Sequence, residues 1–168
     1  MAEEPVSRPA DARQSARGYG RCKDTDGQEA AVTLTTVEQN YLADRGHARL
    51  ATVAPNGAPQ NKPVGFRYNA ELGTIDIYGI AMESSAKFRN VQVNPDVAFL
   101  ADDVVGEGVS GARFLEIRGR ADTVTLPAPP MADVTAQIIR IHPRRVLSFN
   151  IDPAQPNDFL ARDIAPGD

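Results

Sequence analysis

The sequence has few of the residues that form covalent cross-links and metal sites. Its 168 residues include one cysteine, two histidines and no tryptophan. Cys22 has no second cysteine with which to form an internal disulfide, which excludes a disulfide framework and a multi-cysteine zinc site. We therefore predict a domain held together by its hydrophobic core, with no bound metal.

Long hydrophobic runs are lacking as well. No segment reaches the roughly 18 consecutive apolar residues that are needed to span a bilayer, and the amino terminus has no apolar stretch typical of a signal peptide. We expect a cytoplasmic protein that has no membrane partner.

Neither sign of charge dominates. The chain has 18 Lys and Arg against 22 Asp and Glu, a net charge of −4, whereas nucleic-acid-binding domains usually carry a basic excess. Apolar residues make up 42% of the chain, and it contains 13 glycines and 13 prolines, a composition typical of a turn-rich globular domain. We predict one domain with no nucleic-acid partner.

The polar ends of the chain differ from its middle. Residues 1–31 contain Pro, Gly, Ser, Arg, Asp and Gln with almost no apolar periodicity, so they cannot bury enough surface to offset the entropy of ordering. We interpret them as a mobile amino-terminal arm. Residues 32–152 form the predicted domain, and residues 153–168 are predicted to be a loop-like carboxy-terminal tail.

Two short helices are predicted. The order Thr35-Thr36-Val37-Glu38 has the spacing of a capping box, and Gly46 is in position to end that helix. A second helix is predicted from the serines at 84–85, which can cap it, to Pro95, which forbids its continuation.

Extended runs fill most of the remaining sequence. Asn56-Gly57 between the first two runs predicts a hairpin, because both central residues of such a turn must tolerate a positive φ. We interpret the runs as about six strands, mostly joined by hairpins, which favours a mostly β antiparallel barrel with helices at its ends. The runs lie at 48–54, 59–68, 74–78, 97–101, 114–124, 136–141 and 145–149.

The start of the second helix is a candidate anion site. A helix amino terminus presents unpaired N–H groups and the positive end of the helix dipole, and Ser85 and Lys87 could add a hydroxyl and a cation for a phosphate. Alternatively, the serines only cap the helix and Lys87 is solvated.

The second strand also allows two interpretations. Strand alternation puts Lys62 and Arg67 on opposite faces, so both cannot reach one ligand if the strand is regular. Pro63 lacks a ladder donor and indicates an edge, a bulge or a point where the backbone meets a ligand. The alternative is that Pro63 and Lys62 protect an edge strand against unwanted pairing.

Other polar features give weaker signals. Asp102 and Asp103 could be a carboxylate pair but more simply start a loop, and His47 suits the end of the first helix. Ser110 lacks a nearby His–Asp arrangement, so hydrolase chemistry has no support. Four arginines could form a second basic patch, although exposed strand arginines are usually solvated: Arg118, Arg120, Arg144 and Arg145.

The order and spacing of several strings resemble the pyridoxamine-phosphate-oxidase-like, FMN-binding split β-barrel superfamily, and within it the branch that uses the deazaflavin coenzyme F420. The resemblance covers about residues 36–152. It is carried by residues 49–53, 56–60, 63–67, 74–77, 85–90, 94–95, 118–121 and 141–149.

This resemblance implies a six-stranded, Greek-key-like split barrel that forms a homodimer, with cofactor grooves at the dimer interface. It implies a phosphate clasp at Ser85 and Lys87, with Arg67 as a further candidate phosphate contact. The cofactor-binding residues implied by the resemblance are Gln60, Lys62, Pro63, Val64, Gly65, Phe66, Arg67, Ile77, Tyr78, Ser85, Lys87 and Arg89.

The implied activity is an F420-dependent oxidoreductase that transfers a hydride between the deazaflavin and an electron-poor double bond of a small organic substrate. Tyr78 is our candidate proton donor. Two alternatives stay open: an FMN-binding flavin oxidase or reductase, and a non-catalytic cofactor-binding dimer.

Overall fold

The computed structural model describes residues 34–106 and 111–164. The predicted amino-terminal arm, Cys22 and Ser110 lie outside these residues, so the predictions for them are untested. Within the described ranges, no helix is long and apolar enough to cross a membrane.

Two helices and seven strands make up this part of the chain. The helices are α1 (Thr36–Ala43) and α2 (Ala86–Val93). The strands are β1 (Ala48–Val53), β2 (Pro59–Asn69), β3 (Thr74–Tyr78), β4 (Asp96–Val104), β5 (Ala112–Thr125), β6 (Gln137–Phe149) and β7 (Phe159–Asp163).

The strands close into a barrel. They form one antiparallel sheet in the order β3-β2-β1-β4-β5-β6-β7, and an additional pairing of β3 with β6 closes the first six strands on themselves. The fourth strand returns beside the first, which is the Greek-key order. The predicted fold class, a mostly β six-stranded antiparallel barrel with two helices, is confirmed.

The inward faces of the strands supply the core. Leu50, Ile77, Phe99 and Ile117 come from four different strands and are each at most 1% exposed. Phe66 packs its ring edge-to-face on Phe99, with centroids 4.9 Å apart. The alternation of apolar and polar residues along the strands therefore determines which face each strand buries.

The two strands predicted at 136–141 and 145–149 are one strand, β6, which begins at residue 137. Ile139 and Ile141 face inward before the break and Val146 faces inward after it, so the alternation changes phase. A register shift opposite Arg118 and Gly119 leaves Arg144 as an extra, unpaired residue of β6, a β-bulge. The bulge explains the change of phase that separated the two runs.

Pro143 is tolerated inside β6 because of its place in the sheet. β6 pairs with β3 through residues 139–141 and with β7 through residues 145–149. Pro143 lies between these two segments, where no neighbour on that side requires a backbone donor.

The interpretation of the tail after Asp152 as loop-like is wrong, because it contains β7. This strand lies at the edge of the sheet with mostly exposed residues, so it shows no apolar alternation. It is fixed by backbone pairing to β6 and by Arg162, whose Nη2 lies 2.5 Å from the buried Glu38 carboxylate of α1.

The capping box of α1 is confirmed, but two turn details differ from prediction. Helix α1 ends at Ala43 with Asp44 as its C-cap in the right-handed region, so Gly46 does not end it. In the β1–β2 hairpin only Gly57 has a positive φ (84°), because the turn from Ala54 to Gly57 is extended by the Ala54–Ala58 pair. The longer loop removes the need for a positive φ at residue 56.

Candidate functional site

Ser85 forms the N-cap of α2. Its hydroxyl accepts a hydrogen bond from the Phe88 N–H at 3.3 Å and donates one to the Met82 carbonyl at 2.6 Å. Among the described residues, the N–H groups of Ala86 and Lys87 have no acceptor, as expected for the first turn of a helix. The capping interpretation of Ser85 is therefore confirmed, and two donors remain free beside it.

The Lys87 side chain is half-buried in this first turn. It makes no hydrogen bond or ion pair to any described residue, and burial lowers the pKa of its ammonium group. A partly desolvated cation in the same helical turn as two free N–H groups is suited to binding an anion. The donor set at this end of α2 thus fits a phosphate group.

Arg89 contacts the backbone immediately before α2. Its guanidinium donates to the Ser84 carbonyl at 2.5 Å. This bond holds the turn that precedes the helix. Direct contact of Arg89 with a cofactor stays a prediction.

Asn90 connects α2 to the barrel. It is 3% exposed, and its Nδ2 donates to Thr52 Oγ1 of β1 and to Gln60 Oε1 of β2, each at 3.0 Å. Lys87 lies one turn before Asn90 on the same helix face, and Lys62 lies two residues after Gln60 on the same strand face. The two lysines therefore flank one junction between α2 and β2.

The predicted ring-binding residues of β2 divide between the two faces of the strand. Val64 and Phe66 are buried in the core at 4% and 8% exposure. Pro63, Gly65 and Arg67 face outward. Pro63 and Arg67 present their side chains on the outer face, while Gly65, Val64 and Phe66 offer a ligand only their backbone there.

Tyr78 lies against this outer surface of β2. It pairs with Gly65, and its hydroxyl donates to the Phe66 carbonyl at 2.5 Å. A Cβ on Gly65 would lie 3.1 Å from the Tyr78 ring. The neighbouring Ile77 is fully buried in the core. Tyr78 therefore holds the backbone of β2, with its hydroxyl proton already donated.

Arg67 lies opposite Asp76 in the β2–β3 pair. The Asp76 carboxylate already accepts two hydrogen bonds from Arg140, at 2.8 and 2.7 Å. These bonds raise the pKa of the Arg140 guanidinium. Among the described residues, Arg67 makes no ion pair of its own. It is an exposed cation near the strand positions discussed above.

A groove with a volume of 430 Å³ crosses the outside of the barrel. Small and apolar residues line most of it, together with two of the predicted basic residues, Arg118 and Arg144. Its size falls within the range of small-molecule pockets. Sequence reasoning missed this groove because its walls come from β1, β2, β4, β5 and β6, which only the closed barrel brings together.

The remaining polar candidates have structural contacts. Asp102 pairs with Arg49, and Asp103 pairs with Arg113, so the adjacent carboxylates have different partners. Both aspartates lie within β4, so the prediction that they start a loop is wrong. Three of the four predicted basic-patch arginines are paired with acids: Arg118 with Glu116, Arg120 with Asp96 and Arg145 with Asp163.

The chain is similar in sequence to a bacterial reductase. It is 41% identical over 141 residues to the 5a,11a-dehydrotetracycline/5a,11a-dehydrooxytetracycline reductase of Streptomyces rimosus, covering 82% of this chain and 97% of that protein. This similarity supports the oxidoreductase class.

Two solved structures share the fold. A conserved hypothetical protein of Mycobacterium tuberculosis superposes with a TM-score of 0.56 at 21% identity, covering 72% of this chain and 88% of that chain. A heme binding protein of Mycobacterium smegmatis gives 0.57 at 12% identity, covering 79% and 59%. At these identities the likenesses show the fold alone.

Residues 34–156, nearly the whole described range, match the family described as pyridoxamine 5'-phosphate oxidase. This match and the reductase similarity extend over the barrel, α2 and the outer strand positions. The chain therefore belongs to the pyridoxamine 5'-phosphate oxidase family.

Proposed function

We propose that the protein is an F420-dependent reductase that transfers a hydride to an electron-poor carbon–carbon double bond of a polycyclic organic substrate. The reaction class comes from the similarity to a reductase whose name specifies the 5a,11a double bond of a dehydrotetracycline. The choice of F420 over FMN comes from the sequence resemblance to the deazaflavin-using branch.

The single observation that supports a phosphate-bearing cofactor best is the environment of Lys87. Its half-buried side chain has no partner among the described residues and belongs to the first turn of α2, where the N–H groups of Ala86 and Lys87 are free. A phosphate there would satisfy two backbone donors and compensate one charge. The same arrangement would suit the phosphate of FMN, which is why the experiment below compares both cofactors.

The other residues of the proposed site would hold the ring. The bound deazaflavin would supply the hydride chemistry, and the protein would supply orientation and exclusion of water. Pro63 and Gly65 offer a flat outer surface, and Tyr78 stiffens it by donating to the Phe66 carbonyl. The role of Tyr78 as proton donor stays a prediction, since its hydrogen would first have to leave that carbonyl.

We also propose that the protein works as a homodimer. The support is an aromatic cluster on the outside of the barrel: Phe114 lies 6.0 Å from Phe149 and 6.3 Å from Phe159, measured between ring centroids. Phe159 is 54% exposed. Exposed aromatic surface of this kind favours association. Sedimentation of the purified protein should give twice the mass of one chain, and a single-chain mass would contradict the dimer.

The test of cofactor identity compares F420 and FMN. We expect the fluorescence of F420 to be quenched on titration with protein at micromolar concentration, and FMN to bind at least tenfold more weakly. Lys87→Ala should weaken F420 binding by roughly 10- to 100-fold, since hydrogen bonds to charged groups contribute about 1.5–3 kcal/mol. Arg120→Ala is the control, because its exposed pairing with Asp96 at 3.7 Å lies outside the proposed site.

Each result has a distinct meaning. Tighter binding of FMN would replace F420 by the flavin at the same site. Unchanged affinity in Lys87→Ala would remove the proposed phosphate site. Binding of F420 without reduction of 5a,11a-dehydrotetracycline by the reduced cofactor would contradict the proposed substrate class.

A further inference from the structure

The β-bulge of β6 places one arginine at the outer groove. Arg118 pairs with Arg145 and Gly119 pairs with Pro143, so Arg144 is the residue that has no partner on β5. Gly119 permits this geometry, because a Cβ there would lie 2.1 Å from the His142 carbonyl oxygen. Bulges redirect side chains, and Arg144 is among the residues that line the groove.

Arg144 is the uncompensated charge of this groove. Arg118 donates to Glu116 at 2.6 Å, and Asp96 at the other wall lies 3.7 Å from Arg120. Among the residues that the structure describes, the Arg144 guanidinium has no carboxylate partner. The charged residues of the groove therefore leave one net positive charge at Arg144.

The other walls are apolar and small. Ala51 and Val53 of β1, Pro59 of β2, and Val97 and Ala98 of β4 form a continuous surface. An apolar surface with one cation suits a flat hydrophobic molecule that carries one ionised oxygen. A short inorganic anion would leave these walls unused.

The groove continues toward the proposed ring-binding strand. Ala51 of the groove pairs with Asn61, and Asn61 lies two residues before Pro63 on the same outer face of β2. Residues two apart on one strand face are about 7 Å apart. A molecule longer than the groove would therefore extend toward Pro63.

We propose that this groove is a binding site for a planar polycyclic organic anion, with the ionised oxygen at Arg144 and the rings on Ala51 and Ala98. The inference rests on the proposed function, because the name of the reductase relative specifies dehydrotetracyclines, and tetracyclines have fused rings and acidic enol groups. It goes further by assigning a place and a charge to the substrate.

The first test measures binding of 5a,11a-dehydrotetracycline to the cofactor-free protein by calorimetry. Arg144→Gln should weaken binding by about tenfold or more, as expected for loss of a charged hydrogen bond, and Arg144→Lys should recover part of it. Arg145→Gln is the matched control: it removes a neighbouring exposed arginine that pairs with Asp163, and its affinity should stay within twofold of wild type.

A second test blocks the groove without changing its charge. Ala98→Phe adds a ring on the outer face and should abolish binding of the same compound, while F420 binding and the sedimentation coefficient stay unchanged. Wild-type affinity in both Arg144→Gln and Ala98→Phe would overturn the proposal, as would failure of the wild-type protein to bind the compound. A changed mass of Ala98→Phe would assign the groove to a second copy of the chain and would also overturn it.

The two proposals fail separately. If F420 does not bind but the compound binds and responds to Arg144→Gln, the groove assignment holds and the cofactor assignment falls. If F420 binds normally and the affinity for 5a,11a-dehydrotetracycline is unchanged in Arg144→Gln and Ala98→Phe, only the groove assignment is wrong.

Discussion

Cations at the α1 end of the barrel have a carboxylate partner within the chain, whereas two cations near α2 and the groove have none among the described residues. At the α1 end, Arg113 donates to Asp103 at 3.0 and 2.5 Å, and Arg45 lies 2.9 Å from the same carboxylate. Arg45 also stacks 4.1 Å above the Tyr41 ring, whose hydroxyl donates to Asp103 at 3.1 Å. Lys87 and Arg144 have no such partner among the described residues.

The difference separates charges that serve the fold from charges that await a ligand. A half-buried charge such as that of Lys87 destabilises the fold unless it is paired, and the exposed Arg144 can bind an anion without giving up an ion pair. In the α1 cluster each guanidinium already has a carboxylate partner within the chain. The α2 and groove side gains its missing negative charges only when an anion binds.

The largest effect should come from breaking the geometry on the groove side. Gly119→Ala forces a Cβ to 2.1 Å from the His142 carbonyl oxygen, and relief of that clash requires movement of the β6 bulge. We expect a loss of about 3 kcal/mol in the free energy of unfolding, measured by urea denaturation. Gly46→Ala, which meets nothing within 4 Å, is the control. A shift in that control as large as in Gly119→Ala would refute the steric explanation.

A smaller effect should come from loosening α2. Asn90→Ala removes two hydrogen bonds and leaves Thr52 and Gln60 without their donor. We expect a loss of about 2 kcal/mol in the free energy of unfolding and weaker F420 binding, because α2 loses its side-chain connection to β1 and β2. Gln92→Ala on the exposed side of the helix should change neither. Normal F420 affinity in folded Asn90→Ala would show that α2 needs no such connection.

The third prediction removes the carboxylate of Asp103, so that Arg45 and Arg113 lose their shared partner, as Lys87 lacks one among the described residues. The hydrogen bond from Arg113 holds the pKa of Asp103 below its usual value. A depressed carboxylate pKa adds stability above the pKa of the unfolded chain, about 3.9, and this stability is lost as pH falls through the folded pKa. Asp103→Asn should therefore lose about 1–2 kcal/mol at pH 7.

The difference between Asp103→Asn and wild type should shrink as pH falls below about 3.9, because there the unfolded chain binds a proton that the folded protein, with its lowered Asp103 pKa, does not yet bind. Urea unfolding at pH 7 and at pH 3 checks this. Asp102→Asn is the control, since its partner Arg49 is exposed, and its effect should stay within about 0.5 kcal/mol. A constant difference for Asp103→Asn at both pH values would contradict the ionic role.

The smallest expected effect is a pH dependence of F420 affinity that comes from Lys87 of α2. Burial lowers the pKa of Lys87, and phosphate binding requires its protonated form. F420 affinity of the wild type should therefore fall, by less than about tenfold, as pH rises from 7 toward that lowered pKa, before an ordinary lysine at about 10.4 would titrate. The affinity of Lys87→Ala should lack this component. Parallel pH profiles for the two proteins would exclude Lys87 as the titrating group.

The elements that depend on neighbouring residues were predictable. The capping box of α1 formed both of its bonds, and the alternation in β5 buried Leu115 and Ile117. The N-cap role of Ser85 followed from its place before a helix. In each case the interacting groups are only a few residues apart, so a short pattern contains the necessary information.

The elements that depend on distant partners were not predictable. Strand β7 has no alternation because it is an edge strand, and it is fixed by the pairing of Arg162 with Glu38, which lies 124 positions earlier. In the sequence, the β6 bulge resembles a gap between two strands, because the alternation of apolar and polar residues changes phase across Pro143. Its true form depends on the register with β5.

The sequence by itself determined the local structure: where the helices begin, which faces of the strands are apolar, and which residue types are available for a phosphate. The tertiary structure alone decided that β3 closes on β6 and that Arg144 is directed to a groove. It also decided that Lys87 is half-buried without a partner in the described ranges, while Arg113 is paired. The reason is physical. Periodicity and capping act over one or two turns of chain, whereas burial and charge compensation depend on which strands the barrel makes neighbours.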